Sequence, residues 1–169
     1  MTTPWQRELR DFLVVALYVV LAGPLVGLIW SSIGPKVDLL PALAGSGVGW
    51  KAEAGADAHF GLLCLGAGAI CAAIAVACRR DGPGAVAGLA VGGLGAAFTA
   101  DRVGYLLNHG DTLDVLRAHS VPLSLLTKYG IDPFFKVRAL GVVAAWPIAA
   151  VTVYMAALGI RDRGRRSLP

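Results

Sequence analysis

The stretch FLVVALYVVLAGPLVGLIWSS, residues 12–32, decides the fold of this chain because it contains no Asp, Glu, Lys or Arg. A helix needs about 17–25 consecutive, mainly apolar residues to cross the hydrocarbon layer of a bilayer. Backbone amides find no hydrogen-bond partners in lipid, so a single segment of this length can cross only as a helix. The stretch therefore predicts a transmembrane α-helix.

Three further windows lack charged residues: 60–78, 83–100 and 139–160. The whole chain of 169 residues is 56% hydrophobic and only 15% charged, whereas an ordinary globular domain carries about 25% charged residues. This composition excludes a typical water-soluble domain. It predicts one all-α membrane domain over residues 1–169, with four transmembrane helices at about 12–32, 59–78, 83–105 and 138–160.

The segments between the predicted helices are unequal in length. They comprise an N-terminal segment (1–11), an outer loop (33–58), an inner turn (79–82), a second outer loop (106–137) and a basic tail (161–169). The first loop contains a candidate β-hairpin that pairs residues 36–39 with 48–51. In the second loop, residues 111–117 predict a short surface helix that Asp111 caps.

Charge asymmetry predicts the orientation of the helices. The termini and the 79–82 turn carry eight arginines against four acidic residues, so the whole net charge of +4 lies on that side. Cytoplasmic segments attract Lys and Arg, which predicts a multi-pass protein of the bacterial plasma membrane with both termini in the cytoplasm. No basic face has interleaved aromatic residues, so the partner predicted from charge is the lipid bilayer and not a nucleic acid.

A ridge of small residues predicts how the third helix packs. Gly84, Gly88, Gly92 and Ala96 recur every four residues, and such a face allows close approach of another helix backbone. The partner is either the first helix, through Gly23 and Gly27, or a second copy of the chain in a homo-oligomer. Pro24 and Pro147 predict kinks in the first and fourth helices.

Four carboxylates near the outer ends of the helices are the candidate functional residues: Glu53, Asp57, Asp101 and Asp132. They either serve a site or act structurally, as helix caps and boundary charges. The three cysteines lie seven residues apart and are interpreted as packing residues, and the three histidines as solvated loop residues. The sequence contains no phosphate-binding, serine-nucleophile or zinc-binding motif, so it predicts no enzyme activity, no cofactor and no metal.

Several short motifs resemble a family of small actinobacterial membrane proteins that is classed as a domain of unknown function. They are Trp30 with Pro35, Gly55-Ala56-Asp57 with Phe60, Arg79-Arg80-Asp81-Gly82, and the stretch from Arg138 to Pro147. The resemblance covers roughly residues 5–160 and implies four spans in a bacterial inner membrane. The family supplies no catalytic residues.

These observations favour a non-enzymatic accessory or interaction component of the bacterial cell envelope, with an envelope or membrane protein as partner. The alternative is a small transporter or channel, oligomeric in form, that uses Pro24, Pro147 and Asp101. Polar groups converging on a cavity at mid-membrane would favour transport, whereas a solid bundle packed by Gly and Ala would favour the contact role.

Overall fold

A computed structural model describes residues 4–34, 48–120, 122, 124, 137 and 139–166 of the chain. Every regular element in this part is helical. The order is α1 (Pro4–Ile33), α2 (Val48–Ala77), α3 (Pro83–Ala118), α4 (Leu140–Val143) and α5 (Ala145–Arg166).

The prediction of four spans is confirmed. Four segments are long and apolar enough to cross a membrane: Pro4–Ile33, Ala54–Ala77, Pro83–Ala118 and Gly141–Arg163. The helices are longer than the apolar windows because helical structure continues into the flanking polar residues. α3 has 36 residues, or about 54 Å at ~1.5 Å per residue, so it extends well beyond a hydrocarbon layer of ~30 Å.

The second arm of the predicted β-hairpin is wrong, because residues 48–51 form the first turn of α2. The helix is favoured here because residues 51–54, Lys-Ala-Glu-Ala, are all strong helix formers. An isolated hairpin, by contrast, is only marginally stable in water. The other arm, residues 36–39, lies outside the described part of the chain.

The helical structure predicted at residues 111–117 is confirmed, but it is not a separate surface helix, because α3 runs without interruption to Ala118. Two polar side chains bond within the helix at this point. Asn108 donates to the carbonyl of Gly104 at 2.9 Å, and the hydroxyl of Thr112 donates to the carbonyl of Asn108 at 2.9 Å. Asp111 therefore sits inside a helix and does not begin one.

The two prolines differ in their effect on the helices. α1 continues through Pro24. The fourth span is divided at Ala144, whose amide bonds to Gly141 in a tighter turn. Pro147 is the third residue of α5, in the first turn, where a missing backbone N–H breaks no intrahelical bond.

A tight turn at residues 78–82 joins α2 to α3. The amide of Arg79 donates to the carbonyl of Val76 at 3.0 Å and the amide of Arg80 to that of Ala75 at 3.1 Å, which is a Schellman motif. Arg79 holds the left-handed position with φ of 53°. We call the end of the bundle that contains this turn, the start of α1 and the end of α5 the turn end, and the opposite end the loop end.

The helices pack as two parallel pairs. In the first pair, the small-residue ridge of α3 lies along α1: a methyl group added at Gly92 would be 2.9 Å from Cα of Ala16, and one added at Gly27 would be 2.5 Å from the carbonyl oxygen of Ala100. In the second pair, α2 lies along α4 and α5, with Gly68 against the backbone of Trp146. The largest fully buried side chains are Trp30, Trp146, Tyr154 and Phe60.

Candidate functional site

Two of the predicted carboxylates lie at the loop end and bind the segment that leads into the fourth span. Asp57, on α2, is 9% exposed and accepts a hydrogen bond from the amide of Ala139 at 2.9 Å. Asp101, on α3, accepts one from the amide of Val137 at 2.8 Å. Two helices thus hold two amides that are two residues apart. We call Asp57 and Asp101 the carboxylate clamp.

The clamp differs from the helix capping that the sequence suggests. α2 begins at Val48, nine residues before Asp57, so Asp57 lies too far along the helix to cap it. It binds instead the amide of Ala139, which is the N-cap residue of α4 and makes no capping bond through its own side chain. Asp101 lies at the middle of α3. A carboxylate that accepts a backbone amide in this way is a charge-assisted hydrogen-bond acceptor.

The other two candidate carboxylates are not placed. The side chain of Glu53 and the whole of Asp132 lie outside the described part of the chain, and their roles stay predictions. Among the described residues, no three His, Cys, Asp or Glu side chains are grouped so that they could hold a metal ion.

Aromatic side chains lie beneath the clamp. The indole N–H of Trp30 donates to the carbonyl of Ala56 at 3.1 Å. The rings of Trp30 and Phe60 pack edge to face, with centroids 4.8 Å apart and planes at 61°. These contacts join α1 to the part of α2 that carries Asp57, so a layer of buried aromatic side chains lies next to the clamp.

The histidines of the loop end are not all alike. His59 and His119 are exposed, as a solvated loop residue would be, although His59 lies within α2 and its Nδ1 is 2.8 Å from the carbonyl oxygen of Gly55. His109 is partly buried and its ring lies 5.0 Å from that of Tyr105. The interpretation as a solvated loop residue is therefore wrong for His109, because α3 continues past it.

A second polar cluster lies at the turn end, and sequence reasoning did not find it. Asp11 is only 4% exposed and binds the guanidinium of Arg80. Glu8 accepts the amide of Gly84 at 2.7 Å in the first turn of α3, where a negative charge is favoured by the helix dipole. Asp81 pairs with Arg161 through two bonds of 3.2 and 2.7 Å.

This cluster ties the turn to α1 and α5. The hydroxyl of Tyr154 also donates to the carbonyl of Arg80. One signal in the sequence pointed to the cluster: Asp11 directly precedes the apolar stretch 12–32. A carboxylate so close to lipid requires a partner, but nothing in the sequence identifies Arg80 as that partner.

Between the two polar ends, the described interior is apolar and closely packed. Among the described residues, three side chains of the charged or amide types are buried: Asp11, Asp57 and Asn108. Asp11 lies at the turn end, and Asp57 and Asn108 lie toward the loop end. Nearer the middle, the hydroxyl of Tyr18 donates to the carbonyl of Cys71 at 2.8 Å. Cys64 and Cys71 are buried in the core, whereas Cys78 is exposed at the turn.

The fold defines the class of this protein as an integral membrane protein with four helical spans. Comparison of the chain with protein-family profiles, with curated proteins and with solved structures finds no match. The resemblance to the actinobacterial family is thus supported only for its four-span architecture, and the family assignment stays a prediction.

Proposed function

We propose that this protein is a non-enzymatic accessory component of a bacterial cell envelope, which acts by contact with another membrane or envelope protein at its loop end. The observation that carries the proposal is the use of the described polar groups. Both members of the clamp, and the carboxylates Glu8, Asp11 and Asp81, bind backbone or arginine groups of the same chain. Such groups stabilise a scaffold and are not displayed toward a substrate.

The close contacts between helices support the same proposal. Methyl groups added at Gly23 or Gly27 would lie 2.5 Å from carbonyl oxygens of Ala96 or Ala100. Alternating access needs groups of helices that move against each other around a polar site. Backbones packed this closely oppose such movement, because even a small displacement loses many dispersion contacts.

The alternative function, a small transporter or channel, relies on Pro24, Pro147 and Asp101. Two of these residues have structural uses. Asp101 holds the amide of Val137, and Pro147 packs against Gly93, where an added methyl group would lie 3.1 Å from its Cα. For this reason we place the accessory function first.

The test of the accessory function is cross-linking and mass spectrometry on the protein in its native membrane, with sizing in detergent alongside. A reproducible partner linked to residues of the loop end supports the proposal. Links only between copies of this chain, in one defined oligomer, would contradict it and favour the transporter. A variant with Asp114→Lys, at an exposed position of the loop end, provides an extra site for amine-reactive linkers without touching the clamp.

We also propose that the turn end, with both termini, faces the cytoplasm. The chain provides its own reporter, because Cys78 is its only exposed cysteine and lies in the turn. A membrane-impermeant maleimide should label Cys78 after the cells are opened and not before. Cys78→Ser is the control and should remove the label. Labelling of Cys78 in intact spheroplasts would contradict this orientation and place the turn end outside the cytoplasm.

A further inference from the structure

The carboxylates of the turn end are mostly occupied by groups of the same chain. Glu8 binds the amide of Gly84, Asp11 is buried against Arg80, and Asp81 binds Arg161. Asp162 is exposed. Three of the four described carboxylates at this end are thus bound to groups of the same chain, and two of those three already pair with an arginine.

Four arginines at the same end are exposed: Arg7 and Arg10 on α1, Arg79 in the turn and Arg163 on α5. The side chain of Arg10 is 66% exposed, and its Nε lies 3.9 Å from a carboxylate oxygen of Asp11 that already binds Arg80. We call these four residues the arginine surface. It joins three helix ends that the pairs described above hold together.

The positions of these arginines along the chain predict that they lie at the depth of lipid headgroups. Arg7 and Arg10 precede the apolar stretch 12–32 by less than two turns, and Arg163 follows Ile160 by one turn. Trp5, which is 72% exposed, lies at the same end, and exposed Trp is typical of the interface between lipid and water. Long side chains at helix ends place their charged groups among the headgroups.

The type of basic residue at this end indicates what it binds. All eight basic residues at the turn end are arginines. The four lysines of the chain occur in sequence between the apolar windows 12–32 and 60–78 or between 83–100 and 139–160, together with three arginines. Charge alone would be served by either residue. Arginine presents a planar fork of donors that matches the oxygens of a phosphate in two parallel hydrogen bonds.

We infer that the arginine surface binds the phosphate headgroups of anionic phospholipids. The bound lipids lie around the turn end, and their phosphates balance the positive charge of the exposed arginines. The inference is independent of the accessory function, because it concerns the opposite end of the bundle. It does not depend on orientation, since reconstituted protein can be tested in symmetric vesicles.

The test uses the full chain in phosphatidylcholine vesicles that contain a trace of spin-labelled lipid. The fraction of motionally restricted label is compared for phosphatidylglycerol and phosphatidylcholine. We expect the wild-type chain to select phosphatidylglycerol by about fivefold or more at low salt, and the selection to weaken as ionic strength rises. The variant R7Q/R10Q/R163Q should lose most of this selection.

The matched control is R102Q/R117Q, which removes two exposed arginines at the loop end and should leave the selection unchanged. Circular dichroism and sizing in detergent are used to check that both variants keep the fold. Unchanged selection in the triple variant, or an equal loss in the control, would overturn the inference. Displacement of the labelled lipid by millimolar inorganic phosphate would also overturn it, because the surface would then be a site for free phosphate.

Discussion

The carboxylate of Asp11 binds the guanidinium of Arg80 at the turn end, and the two residues are 69 positions apart in the chain. Asp11 is 4% exposed, while the side chain of Arg80 is 29% exposed. The pair joins α1 to the turn between α2 and α3. It therefore links α1 to the end of α2 as well, whereas the small-residue ridge links α1 only to α3.

Removal of one partner from this pair should destabilise the bundle. Arg80→Gln leaves the buried carboxylate with only the more distant Arg10, at 3.9 Å, as a counter-charge, and we expect the free energy of unfolding to fall by about 3 kcal/mol. Reversible unfolding in mixed micelles measures the change. The control is Arg117→Gln, which breaks an exposed pair with Asp114 and should cost less than about 1 kcal/mol. Equal costs for the two variants would show that the pair at the turn end contributes no more stability than an exposed pair.

Close packing between α1 and α3 should make Gly27 intolerant of a single methyl group. In Gly27→Ala the new carbon would lie 2.5 Å from the carbonyl oxygen of Ala100, and overpacking of this kind costs about 1–3 kcal/mol. The unfolding free energy measures the loss. The matched control is Gly66→Ala on α2, where the added methyl group would have no atom within 4 Å apart from its chain neighbours and the backbone of its own helix.

Both variants replace a helical glycine by alanine, so both gain about 0.5–1 kcal/mol in helix propensity. Only Gly27→Ala has to separate two helices. The difference between the two variants therefore reports the packing. If Gly27→Ala proved as stable as Gly66→Ala, the close approach of α1 and α3 would be wrong.

The carboxylate clamp should protect the start of the fourth span from local opening. Asp57→Ala removes the acceptor of the Ala139 amide, and a hydrogen bond to a charged group contributes about 1.5–3 kcal/mol. Hydrogen exchange at the amide of Ala139 should become about tenfold to hundredfold faster, while exchange in the middle of α3 is unchanged.

Two further variants sharpen this test. Asp57→Asn keeps a neutral acceptor and should restore part of the protection. Asp114→Ala removes a carboxylate that is exposed at the same end and pairs with Arg117, and it should have no effect on Ala139. Fast exchange in Asp114→Ala would indicate a general change of charge and not a local hydrogen bond.

The turn should become more stable when the left-handed residue is glycine. Arg79 has φ of 53°, a conformation that costs an ordinary residue about 1–2 kcal/mol and that glycine adopts freely. We expect Arg79→Gly to raise the free energy of unfolding by about 1 kcal/mol. Arg79→Ala removes the same charge but keeps the Cβ atom, so it should give no such gain. A gain in both variants would trace the effect to charge.

Sequence patterns predicted the four helical spans correctly, but they did not predict the residues at which the helices begin and end. The four apolar windows located every span, because lipid leaves a crossing segment no other conformation. The extension of α2 over residues 48–58 was missed, and the helix predicted at residues 111–117 was not recognised as a continuation of α3. Outside the apolar windows, helix and loop differ only by small propensities and local hydrogen bonds. The bonds of Asn108 and Thr112 to carbonyls one turn back are examples that composition does not reveal.

The candidate site was predicted only in part, for a similar reason. Asp57 and Asp101 were singled out because carboxylates near lipid are rare, but the amides that they bind belong to residues 139 and 137. Asp11 was counted only as a charge of the cytoplasmic side. Its burial depends on where Arg80 lies, and that position is set by the turn between α2 and α3.

The sequence by itself determined that this protein crosses a membrane four times as helices, since hydrocarbon excludes charged side chains and unpaired backbone groups over lengths that can be counted along the chain. Only the tertiary structure decided that α1 packs with α3, and that Asp11, Glu8 and Asp57 bind groups 69, 76 and 82 residues away. The small-residue ridge predicted a close approach but left open whether the partner was α1 or a second copy. The distant hydrogen-bond partners depend on how the helices pack in three dimensions, which the local sequence does not specify.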